Sequence, residues 1–170
     1  MEIQVPMRKF IATALVVSCV ALSLAAGPTV GKPLPKFKLT GLDGAAISNA
    51  SLKGKVVLID FWASWCGPCK QASPLMQKLH AKYSGKGLVV IGFNTDDENS
   101  KTITSAYAKE HKYSYKFAVN AASLAQSWNV TGIPRFILVG RNGNVAWDNV
   151  GFSPSMESTF VSKIEAALKK

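Results

Sequence analysis

The pattern of apolar and polar residues predicts a β-hairpin followed by two buried strands. Short alternating stretches lie on either side of Leu42-Asp43-Gly44, and this turn predicts a hairpin within residues 37–47. Continuous apolar runs at 56–62 and 88–93 are each too short for a typical helix and are rich in β-branched residues. They therefore predict strands that are covered on both faces of a sheet.

Helical spacing and turn residues predict the remaining elements. The segment from Lys70 to Tyr83 predicts a helix, and Pro74 inside it is expected to kink that helix. The other predicted elements are a helix around Ile103–His111, a strand at 115–119, a helix at 121–128, strands at 135–140 and 144–150, and a last helix opening at Ser153-Pro154. This order predicts an α/β fold, a three-layer α/β/α sandwich with a mixed central sheet.

The N-terminal residues have the pattern of an export signal. Arg8 and Lys9 precede an almost wholly apolar or small stretch that ends at Gly27-Pro28. We therefore predict a signal peptide over residues 1–26, a linker rich in Gly, Pro and Lys over 27–36, and one folded domain over 37–170. An uncleaved membrane anchor and a lipoprotein lipidated at Cys19 are the alternatives. Each of the three predicts a periplasmic or otherwise extracytoplasmic domain.

The charge of the chain does not indicate nucleic-acid binding. The formal net charge is +10, and removal of residues 1–26 leaves 18 basic and nine acidic residues. The lysines are scattered, without an arginine-rich helix or basic–aromatic alternation, so nucleic acid is not an expected partner. The default interpretation is a solvated basic surface, and attraction to acidic proteins or anionic membrane surfaces is an unspecific alternative. Membrane contact is otherwise expected only through an uncleaved or lipidated N-terminus.

The chemistry-bearing motif is Trp65-Cys66-Gly67-Pro68-Cys69, between a predicted strand and a predicted helix. A helix N-terminus favours a thiolate, which is the species that attacks disulfides. Half of a zinc site is the alternative, but zinc needs four ligands. The other cysteine is Cys19, and the two histidines show no paired ligand spacing. We expect a redox-active pair with no metal and no cofactor beyond its own disulfide.

Two further segments are candidates for roles in the site. Asp60 lies inside an apolar strand, where burial would raise its pKa and let it hold or relay a proton near neutral pH. The alternative is an aspartate that merely caps a backbone group. Gly132-Ile133-Pro134 lies between a predicted helix and strand, and its X–Pro bond is either an ordinary turn or a cis bond.

These motifs together resemble the thioredoxin superfamily, and within it the exported TlpA/ResA-like thiol–disulfide oxidoreductases. The resemblance covers about residues 33–169. It rests on Phe61 to Lys70, Pro74, Gly132-Ile133-Pro134 and Val150-Gly151. The N-terminal hairpin and the block from about 95 to 120 are similar to the TlpA-type additions to a minimal thioredoxin, the second being a central insertion.

The resemblance implies a role for each of these residues. Cys66 would attack a disulfide of a partner protein, and Cys69 would resolve the mixed disulfide with Asp60 as proton relay. Between turnovers the two cysteines would form the Cys66–Cys69 disulfide. Ile133-Pro134 would be cis and face the cysteines. The implied substrate-binding surface comprises Trp65, Gly67, Pro68, Gly132, Ile133, Pro134 and Gly151.

The chain departs from many TlpA/ResA-like proteins at two positions. Ala72 stands where they carry a glutamate, and Asp60 stands where they often carry asparagine. A role in cytochrome c maturation is therefore left open. We expect a reductant of disulfide-containing proteins that is supplied by a membrane-embedded thiol donor. The alternatives are a dithiol oxidase, a thiol peroxidase and a non-enzymatic peptide-binding module.

Overall fold

The computed structural model describes Met1 and residues 27–96 and 98–170. The described strands are β1 (Lys38–Gly41), β2 (Ala46–Ser48), β3 (Val56–Trp62), β4 (Leu88–Asn94), β5 (Lys116–Val119), β6 (Arg135–Val139) and β7 (Val145–Val150). The described helices are α1 (Gly67–Tyr83), α2 (Ser100–Glu110), α3 (Ala122–Ser127) and α4 (Glu157–Leu168). The order of these elements agrees with the order predicted from the sequence.

The strands form one seven-stranded mixed sheet in the order β2-β1-β5-β4-β3-β6-β7. β3, β4 and β5 run parallel, whereas β6 is antiparallel to β3 and β1 is antiparallel to β5. The predicted mixed sheet and the predicted N-terminal hairpin are confirmed. The carboxyl ends of the three parallel strands share one edge of the sheet, and this is where open α/β sheets place their sites.

The burial of β3 on both faces explains why its sequence is apolar except at Asp60. All seven of its residues are buried, because both faces of the sheet are covered. Val56, Leu58 and Trp62 pack in a cluster with residues of α1 and α4, and Val57, Ile59 and Phe61 pack in a second cluster with residues of α3. Asp60 alternates with Phe61 and so faces the α1 side. The sheet is therefore the middle layer of the predicted sandwich.

Several helix boundaries differ from the prediction, and α2, for example, begins at Ser100 rather than near Ile103. α1 begins at Gly67 rather than at Lys70, because Cys66 is its N-cap and Pro68 occupies the first turn, where no amide donor is needed. The helix continues past Pro74 to Tyr83. The last helix is preceded by a 3₁₀ turn over Pro154–Met156.

The segment 27–36 lies against the domain. Gly31 donates its N–H to the Val145 carbonyl at 2.8 Å, and Leu34 donates to Gly143 at 2.9 Å. Leu34 is also buried. The predicted linker is thus attached along the start of β7. The predicted signal peptide and Cys19 lie outside the described residues, and none of the described helices is both long and apolar enough to cross a bilayer.

Candidate active site

Cys66 and Cys69 form a disulfide at the N-terminus of α1, just beyond the carboxyl end of β3. The Cα atoms are 5.3 Å apart. Cys66 Sγ accepts a hydrogen bond from the Cys69 N–H at 3.2 Å, so the sulfur itself caps the helix. Cys66 retains 5% exposure whereas Cys69 is fully buried, and Trp65 beside them is 72% exposed. The sulfur of Cys66 is thus the one nearer to solvent.

The turn that leads into Cys66 is held by the loop that follows β4. The Cys66 N–H donates to the Ala63 carbonyl at 3.1 Å. Ser64 donates from its N–H and its hydroxyl to the two carboxylate oxygens of Asp96, at 3.0 and 2.9 Å. Asn94 adds a third donor to that carboxylate. Sequence reasoning missed Asp96 because its partner, Ser64, is 32 positions away.

Asp60 is buried in the layer between β3 and α1. Its exposure is 1%, and neither carboxylate oxygen has a hydrogen-bond partner among the described residues. Burial raises its pKa to about 8. The alternative in which Asp60 caps a backbone group is therefore wrong. A buried carboxyl without a partner is suited to exchange a proton near neutral pH.

The residue beside Asp60 on the neighbouring strand cannot supply a partner for its carboxylate. Gly92 of β4 pairs with Asp60 in the sheet. A Cβ at Gly92 would come within 2.9 Å of the Phe117 ring and 3.0 Å of Trp62 Nε1. A longer side chain that could pair with the carboxylate is therefore excluded at this position.

A buried hydroxyl pair lies beside the second cysteine, and sequence reasoning missed it. Tyr107 of α2 donates its hydroxyl to Ser73 Oγ at 3.0 Å, and Ser73 donates to the Cys69 carbonyl at 3.1 Å. Trp62 stacks on the Tyr107 ring with centroids 4.7 Å apart. Burial raises the pKa of Tyr107, and the charge of Asp60 raises it further. The carboxylate and the hydroxyl pair therefore share one interior region.

The predicted substrate-binding residues fall into three groups. Trp65, Gly132 and Ile133 line one open cavity of about 590 Å³, together with Thr95 and residues of α3. The Ile133-Pro134 bond is cis, as the resemblance implies. Gly67 and Pro68 form the first turn of α1. Gly151 does not line the cavity, but it adopts a positive φ of 86° and donates its N–H to the Pro134 carbonyl at 2.7 Å.

Arg135 at the start of β6 ties one wall of this cavity to the sheet. It donates from Nε and Nη2 to both carboxylate oxygens of Asp148, at 3.0 and 2.7 Å. Nη1 donates to the carbonyls of Trp128 and Asn129, which directly follow α3. Arg135 is 9% exposed, so this pair is largely shielded from water. Through its bonds to the Trp128 and Asn129 carbonyls, Arg135 holds the end of α3 beside the Thr131–Ile133 loop.

A family model described as Redoxin matches residues 29–168 of the chain. The chain belongs to the Redoxin family. Thioredoxin-like protein YneN of Bacillus subtilis (strain 168) is 32% identical to this Redoxin-family protein over 121 residues, covering 71% of each chain. Thiol-disulfide oxidoreductase ResA of Bacillus anthracis is 31% identical over 125 residues, covering 72% of this chain and 70% of the relative.

Solved structures agree with these relatives. A thiol:disulfide interchange protein DsbE from Chlorobium tepidum is 33% identical to this Redoxin-family protein and superposes with a TM-score of 0.76, covering 84% of this chain and 99% of that chain. A protein disulfide isomerase from Bacteroides thetaiotaomicron is 27% identical with a TM-score of 0.75, covering 84% and 92%. The resemblance to TlpA/ResA-like members of the thioredoxin superfamily is confirmed, and the protein is a thiol–disulfide oxidoreductase.

Proposed function

We propose that this protein works outside the cytoplasm and reduces disulfides of partner proteins through Cys66 and Cys69. The observation that carries the proposal is the placement of the cysteine pair: Cys66 caps α1 beside the exposed Trp65 and retains 5% exposure, and Cys69 is fully buried. The export pattern over residues 1–26 supports the location. The partners are disulfide-containing proteins, and a membrane-embedded thiol donor returns the pair to the dithiol.

Cys66 is the attacking thiol in this scheme. In the reduced protein, the partial positive charge of the α1 N-terminus stabilises the Cys66 thiolate. The thiolate attacks one sulfur of the partner's disulfide, which forms a mixed disulfide and releases the partner's other sulfur as a thiolate that takes up a proton. The cavity lined by Trp65, Gly132 and Ile133 holds the partner's chain during this step.

Cys69 is the resolving thiol, with Asp60 as the proton acceptor. The Cys69 thiol gives its proton to the Asp60 carboxylate, and the resulting thiolate attacks Cys66 Sγ. The partner leaves with both sulfurs reduced, and the Cys66–Cys69 disulfide holds the oxidising equivalent. With a pKa of about 8, Asp60 is mostly protonated at pH 7, and its ionised fraction, which grows toward pH 8, is the form that accepts this proton and returns it to solvent.

The direction of electron flow is proposed from Gly67-Pro68, the dipeptide between the thioredoxin cysteines. Thioredoxin has a reduction potential of about −270 mV, against about −120 mV for the oxidant DsbA. A dithiol oxidase would use the same two cysteines with the opposite flow. Equilibration with glutathione buffers measures the potential. A value above about −150 mV would favour the oxidase.

A trapping experiment tests the assignment of the two cysteines. Reduced Cys69→Ala protein should form a persistent mixed disulfide with insulin, because no thiol is left to resolve it. Cys66→Ala is the matched control and should trap little. Limiting alkylation of the reduced wild type near pH 7 should label Cys66 first. Preferential labelling or trapping at Cys69 would reverse the two roles.

A further inference from the structure

A group of basic side chains lies at the end of the sheet opposite the disulfide. Lys53 and Lys55 precede β3, Lys86 precedes β4, and Arg141 follows β6. Since β3 and β4 are parallel and β6 is antiparallel to β3, these loops meet at one edge. Lys163 within α4 and Lys170 just beyond its end lie at the same edge, because they share a cavity with Arg141. We call these six residues the basal face.

Arg141 connects the loops of the basal face. Its guanidinium donates to the carbonyls of Gly54 and Lys86, each at 3.2 Å. These two bonds join the loop before β3, the loop before β4 and the turn after β6. The cations of the basal face are thus held on connected backbone segments, while all six side chains remain exposed.

Two cavities flank Arg141, and the charged side chains among their otherwise neutral lining residues are all cations. One has a volume of about 440 Å³ and is lined by Arg141, Lys163 and Lys170. The other has a volume of about 250 Å³ and is lined by Lys53, Lys55 and Arg141. Glu165 on α4 is an acidic side chain close to Lys86, outside both cavities, and its carboxylate accepts a hydrogen bond from the Tyr83 hydroxyl at 2.6 Å. The basal face therefore presents concave, positively charged sites of the kind that phosphate groups occupy.

We propose that the basal face docks the protein on an anionic phospholipid bilayer, with lipid phosphates beside Arg141 and the disulfide directed away from the membrane. Clustered lysine and arginine side chains are attracted to anionic lipid within a Debye length of its surface. The seven residues of β3 span roughly 23 Å at about 3.3 Å per residue. A docked molecule would therefore hold Cys66 clear of the headgroups and open to a partner protein.

Vesicle co-sedimentation of the full-length oxidised protein tests the docking. Vesicles of phosphatidylglycerol and phosphatidylcholine should bind the protein at low ionic strength, and vesicles of phosphatidylcholine alone should not. Binding should fall steeply when NaCl is raised from about 0.05 to about 0.5 M, since the attraction is screened. Binding through the apolar N-terminal stretch alone would be insensitive to salt and would overturn the proposal.

Charge-reversal variants test whether the basal face is the surface that binds the anionic vesicles. Lys53→Glu combined with Lys86→Glu should weaken the partition to anionic vesicles about tenfold or more. Lys38→Glu combined with Lys101→Glu is the matched control, because both residues are exposed, both lie outside the basal face and the net charge changes equally. The control should lose less than about threefold. Equal loss in both double variants would attribute binding to net charge and refute the basal face.

Two further measurements test the ligand and the orientation. Excess free glycerol phosphate should compete only weakly, because the bilayer presents many phosphates together. Full competition at low concentration would assign the cavities to a soluble phosphate instead. Alkylation of Cys66 in the reduced protein should proceed at the same rate with and without anionic vesicles. Protection of Cys66 would show that the molecule docks the other way round. None of these measurements depends on reductase activity.

Discussion

Asp60 makes the stability of the protein depend on pH. Its pKa is about 8 in the folded protein, against an ordinary value of 3.8, so between these values the folded state keeps a proton that the unfolded state has released. The free energy of unfolding should therefore decrease as pH rises from about 4 to about 8, by up to about 1.4 kcal/mol per pH unit. The slope in Asp60→Asn should be shallower, as measured by urea unfolding at pH 5, 6, 7 and 8. A slope equal to that of the wild type would contradict the raised pKa.

The same residue should control turnover. Asp60→Asn cannot accept the Cys69 proton, so reduction of a protein disulfide should slow several-fold at pH 7 and recover as pH approaches the ordinary cysteine pKa of about 8.5. Asp43→Asn is the control, because Asp43 is exposed in the hairpin. An unchanged rate from pH 6 to 9 in Asp60→Asn would remove Asp60 from the proton path.

Tyr107 is expected to tune Asp60 through its hydroxyl. Tyr107→Phe keeps the ring stacked on Trp62 but makes the surroundings of the carboxylate less polar, so the pH midpoint of turnover should move upward. The matched control is Tyr83→Phe. Tyr83 packs in the same apolar cluster, but its hydroxyl donates to Glu165 instead. Each variant should lose about 1 kcal/mol of stability from one hydrogen bond. If the pH midpoint of turnover in Tyr107→Phe equalled that of Tyr83→Phe, the Tyr107 hydroxyl would have a structural role only.

Sequence reasoning could predict Asp60 but not its surroundings. An aspartate inside a continuous apolar run must be buried, whichever fold the run belongs to. The hydroxyl pair depends on a contact between Ser73 and Tyr107, 34 positions apart. Residue types alone do not specify such a contact. Gly92, which offers Asp60 no partner, likewise becomes its neighbour only when β3 and β4 pair.

At the scale of elements, the interior strands were predictable and the boundaries were less so. β3 and β4 are covered on both faces, and this produces runs that are apolar except at Asp60 and Asn94. α1 begins three residues before the start that its sequence pattern predicts, because a cysteine is not a usual N-cap. The attachment of residues 27–36 to β7 uses mainly backbone groups, which leave no pattern in the side chains.

Arg135 is expected to couple β6 to the wall of the substrate cavity. Arg135→Lys keeps the charge but loses the paired bonds to Asp148 and the reach to the Trp128 carbonyl. Stability should fall by about 2 kcal/mol. Reduction of a protein disulfide should fall more than reaction with a small disulfide, which does not need the cavity. Arg141→Lys is the control, since Arg141 is exposed and bonds two carbonyls only. Equal loss toward both substrates would show that Arg135 affects the cysteines rather than the cavity.

At the scale of the whole molecule, the predicted fold class agrees with the structure. The order of helices and strands along the chain restricts which strands can pair, and in which direction. A parallel β3–β4 pair needs a crossover, and α1 is the helix that the pattern predicts between them. The charge distribution could not be predicted in this way. The cations of the basal face come from four separate segments, and the sequence shows them only as scattered lysines.

The stability of the whole fold should differ between the oxidised and reduced protein, in a direction that reports electron flow. The disulfide equilibrium and the folding equilibrium form one thermodynamic cycle, so a more reducing pair is one whose disulfide form is favoured by the folded state. DsbA is a strong oxidant because its reduced form is the stabilised one. A reductant should show the reverse. We therefore expect the oxidised protein to unfold at a higher denaturant concentration than the reduced protein at pH 7, with Cys66→Ala/Cys69→Ala unaffected by the reducing agent. Greater stability of the reduced form would assign the protein to disulfide formation instead.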